Sequence, residues 1–375
     1  MTSPRTSASA APEIGTRSGR VMTVLGPIAV ESMGVTLMHE HLLIDASVWF
    51  HCPSCAGRAP LATQPLGVGI LGELRMDPFA NLDNCRLDDV DAAVEEVAQF
   101  RELGGGTVVD PTNVGIGRDP AALQAISRRT GLNVVMGAGF YLEAAQPERV
   151  RRMSTDDIAD EIVRDLTEGV AGSGVRAGLI GEIGVGAEFT PAEQKSLRGA
   201  ARAAARTGVP LSIHLPGWKR LAGRVLDIVA EEGAELAHTV LCHMNPSLDD
   251  VAYQTGLAER GAFLEYDMIG MDYYYADQDA QSPCDEANAV ALKRLIDAGF
   301  LNRLLLSQDV FLKMMLTRHG GFGYGYILRH FAPRLKRHGV GEAQLRALLV
   351  DNPRRVFSAR PRAGADAALE GEAQP

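Results

Sequence analysis

Residues 35–45 read VTLMHEHLLID, an apolar run of the kind found inside proteins, yet its centre holds His39, Glu40 and His41. Residues i and i+2 of a strand share a face. The spacing therefore predicts both imidazoles pointing inward near a strand end, with Glu40 pointing away. A lone buried histidine is usually a satisfied core residue, but two on one face each need partners in an apolar interior. The same signature returns in four further apolar runs: Glu182 in AGLIGEIG, His214 in VPLSIHL, His243 in HTVLCH and Asp309 in RLLLSQD. Brought to one level, four imidazoles and two carboxylates form a costly cluster unless cations bind among them. Imidazole nitrogen and carboxylate oxygen suit two divalent ions, zinc (Zn2+) first, with Mn2+, Co2+ or Fe2+ as alternatives. Glu182 could bridge such a pair about 3.5–4 Å apart.

Positioning these groups requires strands that end at the same level. Eight Val-, Ile- and Leu-rich runs begin at residues 35, 107, 133, 177, 209, 238, 262 and 303. They alternate with stretches of helical period such as TPAEQKSLRGAARAAARTG, where Thr190 is placed as N-cap and Pro191 at the first helical position. This alternation predicts an α/β fold with a parallel sheet, and eight units predict a (β/α)8 TIM barrel whose chemistry sits at the C-terminal strand ends. A doubly wound open sheet is the alternative, weakened because no Gly-rich dinucleotide fingerprint follows the first strand. The predicted single domain spans 21–358, between segments 1–20 and 359–375 expected to be disordered. The long loop 46–84 after the first strand is expected to be a lid or a side wall. VMTVLGPIAV, at 21–30, is read as a hairpin under the barrel.

Composition narrows the partners. The formal charge of −10 and the lack of a basic stripe argue against nucleic acid and anionic membrane surfaces, leaving a small-molecule substrate. No apolar run reaches the roughly 18–20 residues of a spanning helix, and the N-terminus lacks a secretory apolar region, so the expected location is cytoplasmic. Five cysteines at irregular spacing do not suggest a disulfide framework. Cys52 and Cys55 in HCPSC have metal-like spacing, but no second pair completes the set. HGGFGYGY, at 319–326, is not followed by the GKS or GKT of a phosphate loop.

VTLMHEHLLID, AGLIGEIG, the histidines of SIHLPGW and LCHMNPSLDD, LSQDV, HGGFGYGYIL and DNPRRVF follow in order along nearly the whole folded chain. Together they resemble the phosphotriesterase family of the amidohydrolase superfamily. The resemblance implies that His39, His41 and Asp309 bind a more buried metal, that His214 and His243 bind a more exposed one, and that a strand 4 residue bridges the two. It also implies that a homodimer is possible. In phosphotriesterases proper and the lactonases most similar to them the bridge is a carboxylated lysine. None of Lys195, Lys219, Lys293, Lys313 and Lys336 lies on strand 4, so Glu182 takes that place, as in the branch resembling phosphotriesterase homology proteins and sugar-phosphate lactonases.

The expected function is a binuclear metal-dependent hydrolase that uses a metal-bridging hydroxide on a lactone or carboxylic ester, with Asp309 as general base. The alternatives are an amide (N-acyl) hydrolase, a phosphotriester hydrolase and, from another class, a non-catalytic ligand-binding barrel. Tyr141, Trp218, Met268, Tyr273, Lys313 and Arg118 are the expected substrate contacts. The aromatic and methionine residues suit an apolar substrate, and the two cations suit an anionic group. Asp110 is expected either to orient a ligating histidine or to cap a turn, and His238 to be structural.

Overall fold

A computed structural model describes residues 19–53 and 56–358. All eight predicted runs form strands: β1 (Val35–Leu37), β2 (Gly105–Asp110), β3 (Asn133–Ala138), β4 (Leu179–Gly184), β5 (Leu211–His214), β6 (Thr239–Leu241), β7 (Phe263–Tyr266) and β8 (Leu304–Leu306). They pair in parallel, each with its neighbour in sequence, from β1 to β8. Helices α1 (Val90–Glu102), α2 (Pro120–Thr130), α3 (Thr155–Thr167), α4 (Pro191–Thr207), α5 (Ala222–Glu231), α6 (Val251–Glu259) and α7 (Asp285–Leu295) fill the crossovers. The fold is a (β/α)8 barrel. Thr190 caps α4 in a reciprocal pair with Glu193, and Pro191 occupies its first turn.

Arg20 already opens the hairpin, Arg20–Thr23 paired with Gly26–Ala29. Val21, with Val356 and Phe357 from the last helix, joins the interior cluster formed by Met38, Val109, Val135, Leu179, Val240, Phe263 and Leu305. These residues fill the barrel interior, and His238, just before β6, bonds to the Val356 carbonyl (3.0 Å) as a structural residue. The expected terminal segments lie outside the described residues except for 19 and 20, and so does Cys55.

The barrel closes between β1 and β8 through side chains as well as backbone, and the residue between the two histidines makes the seam. Glu40 is buried. Its carboxylate accepts hydrogen bonds from Ser307 Oγ (2.8 Å), Gln308 N (2.8 Å) and Val310 N (2.9 Å). Alongside, Asp309 N donates to the His39 carbonyl (3.1 Å) and His41 N to the Val310 carbonyl (3.2 Å). Burial raises the Glu40 carboxyl to about 7 against the opposing pull of those hydrogen bonds. Glu40 points to the neighbouring strand end rather than simply outward, because the regular strand stops at Leu37 and bends over residues 38 and 39. The bend brings both Met38 and His39 inward, so the histidines converge through a break in strand alternation.

The described residues of the 46–84 segment form a side wall. Asn84 ties it to the loop after β8, accepting from Met314 N (2.8 Å) through its side chain and from Lys313 N (2.9 Å) through its carbonyl. Replacing Glu40 with Gln keeps the volume but sets an amide NH2 among backbone donors. We expect a loss of about 1–3 kcal/mol in denaturant unfolding at neutral pH; an unchanged midpoint would refute the seam's importance.

Candidate metal centre

Six buried donors meet at the C-terminal end of the barrel. Glu182 lies on β4 and His214 ends β5. His39, His41, His243 and Asp309 lie just past β1, β6 and β8. His41 Nε2 is 3.3 Å from Asp309 Oδ1 and 3.5 Å from Glu182 Oε1. His39 Nε2 is 3.6 Å from Glu182 Oε2 and 3.7 Å from Asp309 Oδ1. On the other side, Glu182 Oε2 lies 3.1 Å from His214 Nδ1 and 3.6 Å from His243 Nε2, and these two nitrogens are 2.8 Å apart. One carboxylate thus faces both histidine pairs.

The backbone is shaped for this convergence. Gly181 has a φ of +135°, and a β-carbon there would lie 2.4 Å from the Ser212 carbonyl oxygen, so only glycine lets β4 press against β5 before Glu182. His243 (φ 57°) and Asp309 (φ 49°) sit in the left-handed region that costs a non-glycine residue about 1–2 kcal/mol. Each is anchored, His243 N by the Asp267 carboxylate (3.0 Å to either oxygen) and Asp309 N by the His39 carbonyl.

A second layer fixes the imidazoles. His41 Nδ1 lies 2.7 Å from Thr112 Oγ1, whose own hydrogen goes to the Leu43 carbonyl. Nδ1 must therefore be the donor, and Nε2 is the nitrogen left to face the carboxylates. Asp110 orders that loop, accepting from Leu42 N (2.9 Å) and Thr112 N (3.0 Å), so it acts as a loop cap that supports Thr112 rather than bonding to His41 itself. His243 Nδ1 faces Asp267 Oδ1 at 3.1 Å. His39 Nδ1 lies 3.5 Å from both Glu265 and Asp267. These two carboxylates, with Cys242 beside them, were not among the expected site residues. Their signal in the sequence was a pair of charges at alternate positions of the otherwise apolar run AFLEYD.

Burial disfavours charge on His41 and His243, but Asp309 and Glu182 raise the first to about 9, and Asp267 and Glu182 raise the second to about 10. His214 is pushed down by burial and by His243. Burial likewise opposes ionisation of Glu182 and Asp309, yet the surrounding imidazoles hold both below the usual carboxylate range. The cluster calls for positive charge at its centre. The donors present fit divalent cations: all are imidazole or carboxylate, and both ring nitrogens of the fully buried His39 lack a hydrogen-bond partner. An unpaired buried polar atom costs about 1–3 kcal/mol.

Above this floor opens a cavity of about 270 Å³. Tyr141, Trp218 and Met268 line it, with Trp49, Phe79, Met271, Tyr275 and Phe311. Three expected contacts do not. Arg118 is buried in an ion pair with Asp165 (3.0 Å) and donates to the Gly137 carbonyl. Lys313 is drawn to Asp83 (2.5 Å) on the side wall. Tyr273 is buried and does not line the cavity, whereas Tyr275 does.

Comparison with known proteins agrees with this architecture. Over 341 residues, 90% of the chain and 97% of the relative, the sequence is 36% identical to an N-acetyltaurine hydrolase of Tetraodon nigroviridis. The solved structure of a resiniferatoxin-binding protein from Rhodobacter sphaeroides is 58% identical with a TM-score of 0.90, covering 95% of this chain and 97% of that one. A lactonase from Listeria monocytogenes is 26% identical with a TM-score of 0.73, covering 91% and 99%. The model of the Phosphotriesterase family matches residues 19–357, and the chain belongs to that family.

Proposed function

We propose that this chain is a binuclear metal-dependent hydrolase acting on a carboxylic ester or lactone. The observation that carries the proposal is the ring of six buried imidazole and carboxylate donors at the floor of an apolar cavity. His39, His41 and Asp309 would hold one cation and His214 and His243 the other. Glu182 would join both sets, since its two oxygens face His41 on one side and His214 on the other. Zinc suits this donor set first. When bound, the cations supply Lewis acidity toward a carbonyl oxygen and acidify a water at neutral pH.

The remaining work falls to side chains. Hydrolysis breaks the acyl C–O bond, adding the OH of water to the acyl carbon and a proton to the leaving oxygen. Asp309 lines the cavity with its Oδ1 toward His41 and His39, so it can take that proton from water and pass it on. Tyr141, whose hydroxyl is 3.2 Å from His214 Nδ1, borders the space where a carbonyl would lie. Asp267 contacts a histidine of each set, His243 at 3.1 Å and His39 at 3.5 Å, and so orients both without facing the substrate.

A second reading, hydrolysis of an N-acyl amide, is favoured by the relatives named N-acetyltaurine hydrolase. A side-by-side screen of lactones, aryl esters, N-acyl amides and a phosphotriester on metal-reconstituted protein separates the two. Replacing Asp309 with Asn is expected to lower kcat by about 10²–10⁴-fold while metal content stays near that of the parent. A variant with near-normal rate would remove Asp309 from the proton path. Replacing Asp267 with Ala should weaken metal binding about 10–100-fold in chelator competition. Unaltered affinity would reduce Asp267 to a packing residue.

A further inference from the structure

The wall of the cavity carries more than apolar character, because its charges are one-sided. Five rings form a chain around it: Trp218 against Tyr275 (5.2 Å between centroids), Tyr275 against Phe79 (5.7 Å), Phe79 stacked on Trp49 (5.6 Å, planes 17° apart) and Trp49 edge-on to Tyr141 (6.5 Å). Among the described residues no lysine or arginine lines the cavity, and outside the cluster of imidazoles and carboxylates at its floor the only charged group among them is Asp277, beside Gln278. Arg118 and Lys313, the cations that could have served an anionic substrate, are engaged by Asp165 and Asp83. A sulfonate, phosphate or carboxylate tail would lose its hydration to an aromatic wall, find no counter-charge there, and meet Asp277.

We infer that this chain selects an uncharged, aromatic-bearing ester or lactone and discriminates against substrates with an anionic tail, including N-acetyltaurine, which ends in a sulfonate. The inference rests on the reading of this cavity as the substrate site of a hydrolase. It separates the chain from the activity for which its 36% identical relative is named. Trp49 and Trp218 are the determinants facing the substrate, one on the segment after β1 and the other after β5.

A matched pair of esters isolates the charge. Phenyl acetate and 4-sulfophenyl acetate share the scissile bond and the ring, and the sulfonate makes the phenol a better leaving group, so intrinsic reactivity favours the charged ester. With metal-reconstituted full chain, the expected result is a kcat/KM for phenyl acetate at least about tenfold above that of its sulfonated partner, with Asp277→Lys narrowing the gap. Equal values, a gap untouched by Asp277→Lys, or N-acetyltaurine turned over as well as phenyl acetate would overturn the inference.

Binding gives a readout independent of turnover. The chain has two tryptophans, and both line the cavity. Benzyl phenyl ketone, neutral and inert to hydrolysis, should quench their fluorescence saturably, whereas benzenesulfonate at the same concentrations should not. Equal quenching would overturn the charge selection. Quenching by the ketone alone, with no turnover of any ester, would defeat the hydrolase reading and leave the selection standing; turnover of N-acetyltaurine as good as that of phenyl acetate would do the reverse.

Discussion

Four imidazoles and two carboxylates cannot be packed into a barrel mouth without partners, and most of the local structure answers that constraint. Each buried polar atom left unmatched carries a cost comparable to a lost hydrogen bond. The answer is layered. Thr112 commits His41 Nδ1 and Asp267 commits His243 Nδ1, leaving the opposite nitrogens free to face the centre. The strained backbone at His243 and Asp309 belongs to the same arrangement, since in each case the anchoring hydrogen bond holds a conformation that aims a donor inward.

Fold and site are joined at the β1–β8 seam. Glu40 grips the amides of Gln308 and Val310, the two neighbours of Asp309 in sequence, while its own neighbours His39 and His41 enter the candidate metal cluster. The three-residue stretch HEH therefore does two things at once. Its histidines face the barrel axis, and its glutamate fixes the strand end that delivers Asp309 to them. Closure of the barrel and placement of the proposed base are the same set of contacts.

The sequence made the eight strands legible because parallel barrel strands are buried on both faces and read as apolar runs. It made the six donors legible because polar residues at the ends of such runs have few other reasons to be there. It did not reveal Glu265 and Asp267, although both stood in the open in AFLEYD, since one strand carrying two inward carboxylates makes sense only once His39 and His243 are seen beside them. Arg118, Lys313 and Tyr273 were misplaced for a different reason. Where a loop side chain goes is decided by partners distant in sequence, here Asp165 for Arg118 and Asp83 for Lys313, and neither periodicity nor spacing encodes such pairs.

The division between strand-borne floor and loop-borne wall is less complete than in an idealised barrel. Trp49 and Phe79 belong to the segment after β1, but that segment is stitched to the loop after β8 through Asn84 and Lys313, only a few residues beyond Asp309. Trp49 also stands 6.0 Å from the His214 ring. The aromatic wall and the polar floor are consequently parts of one packed unit. The proposed selection by the wall and the proposed proton transfer at the floor would share their supports, so specificity would be built into the same contacts that hold the buried imidazoles and carboxylates in place.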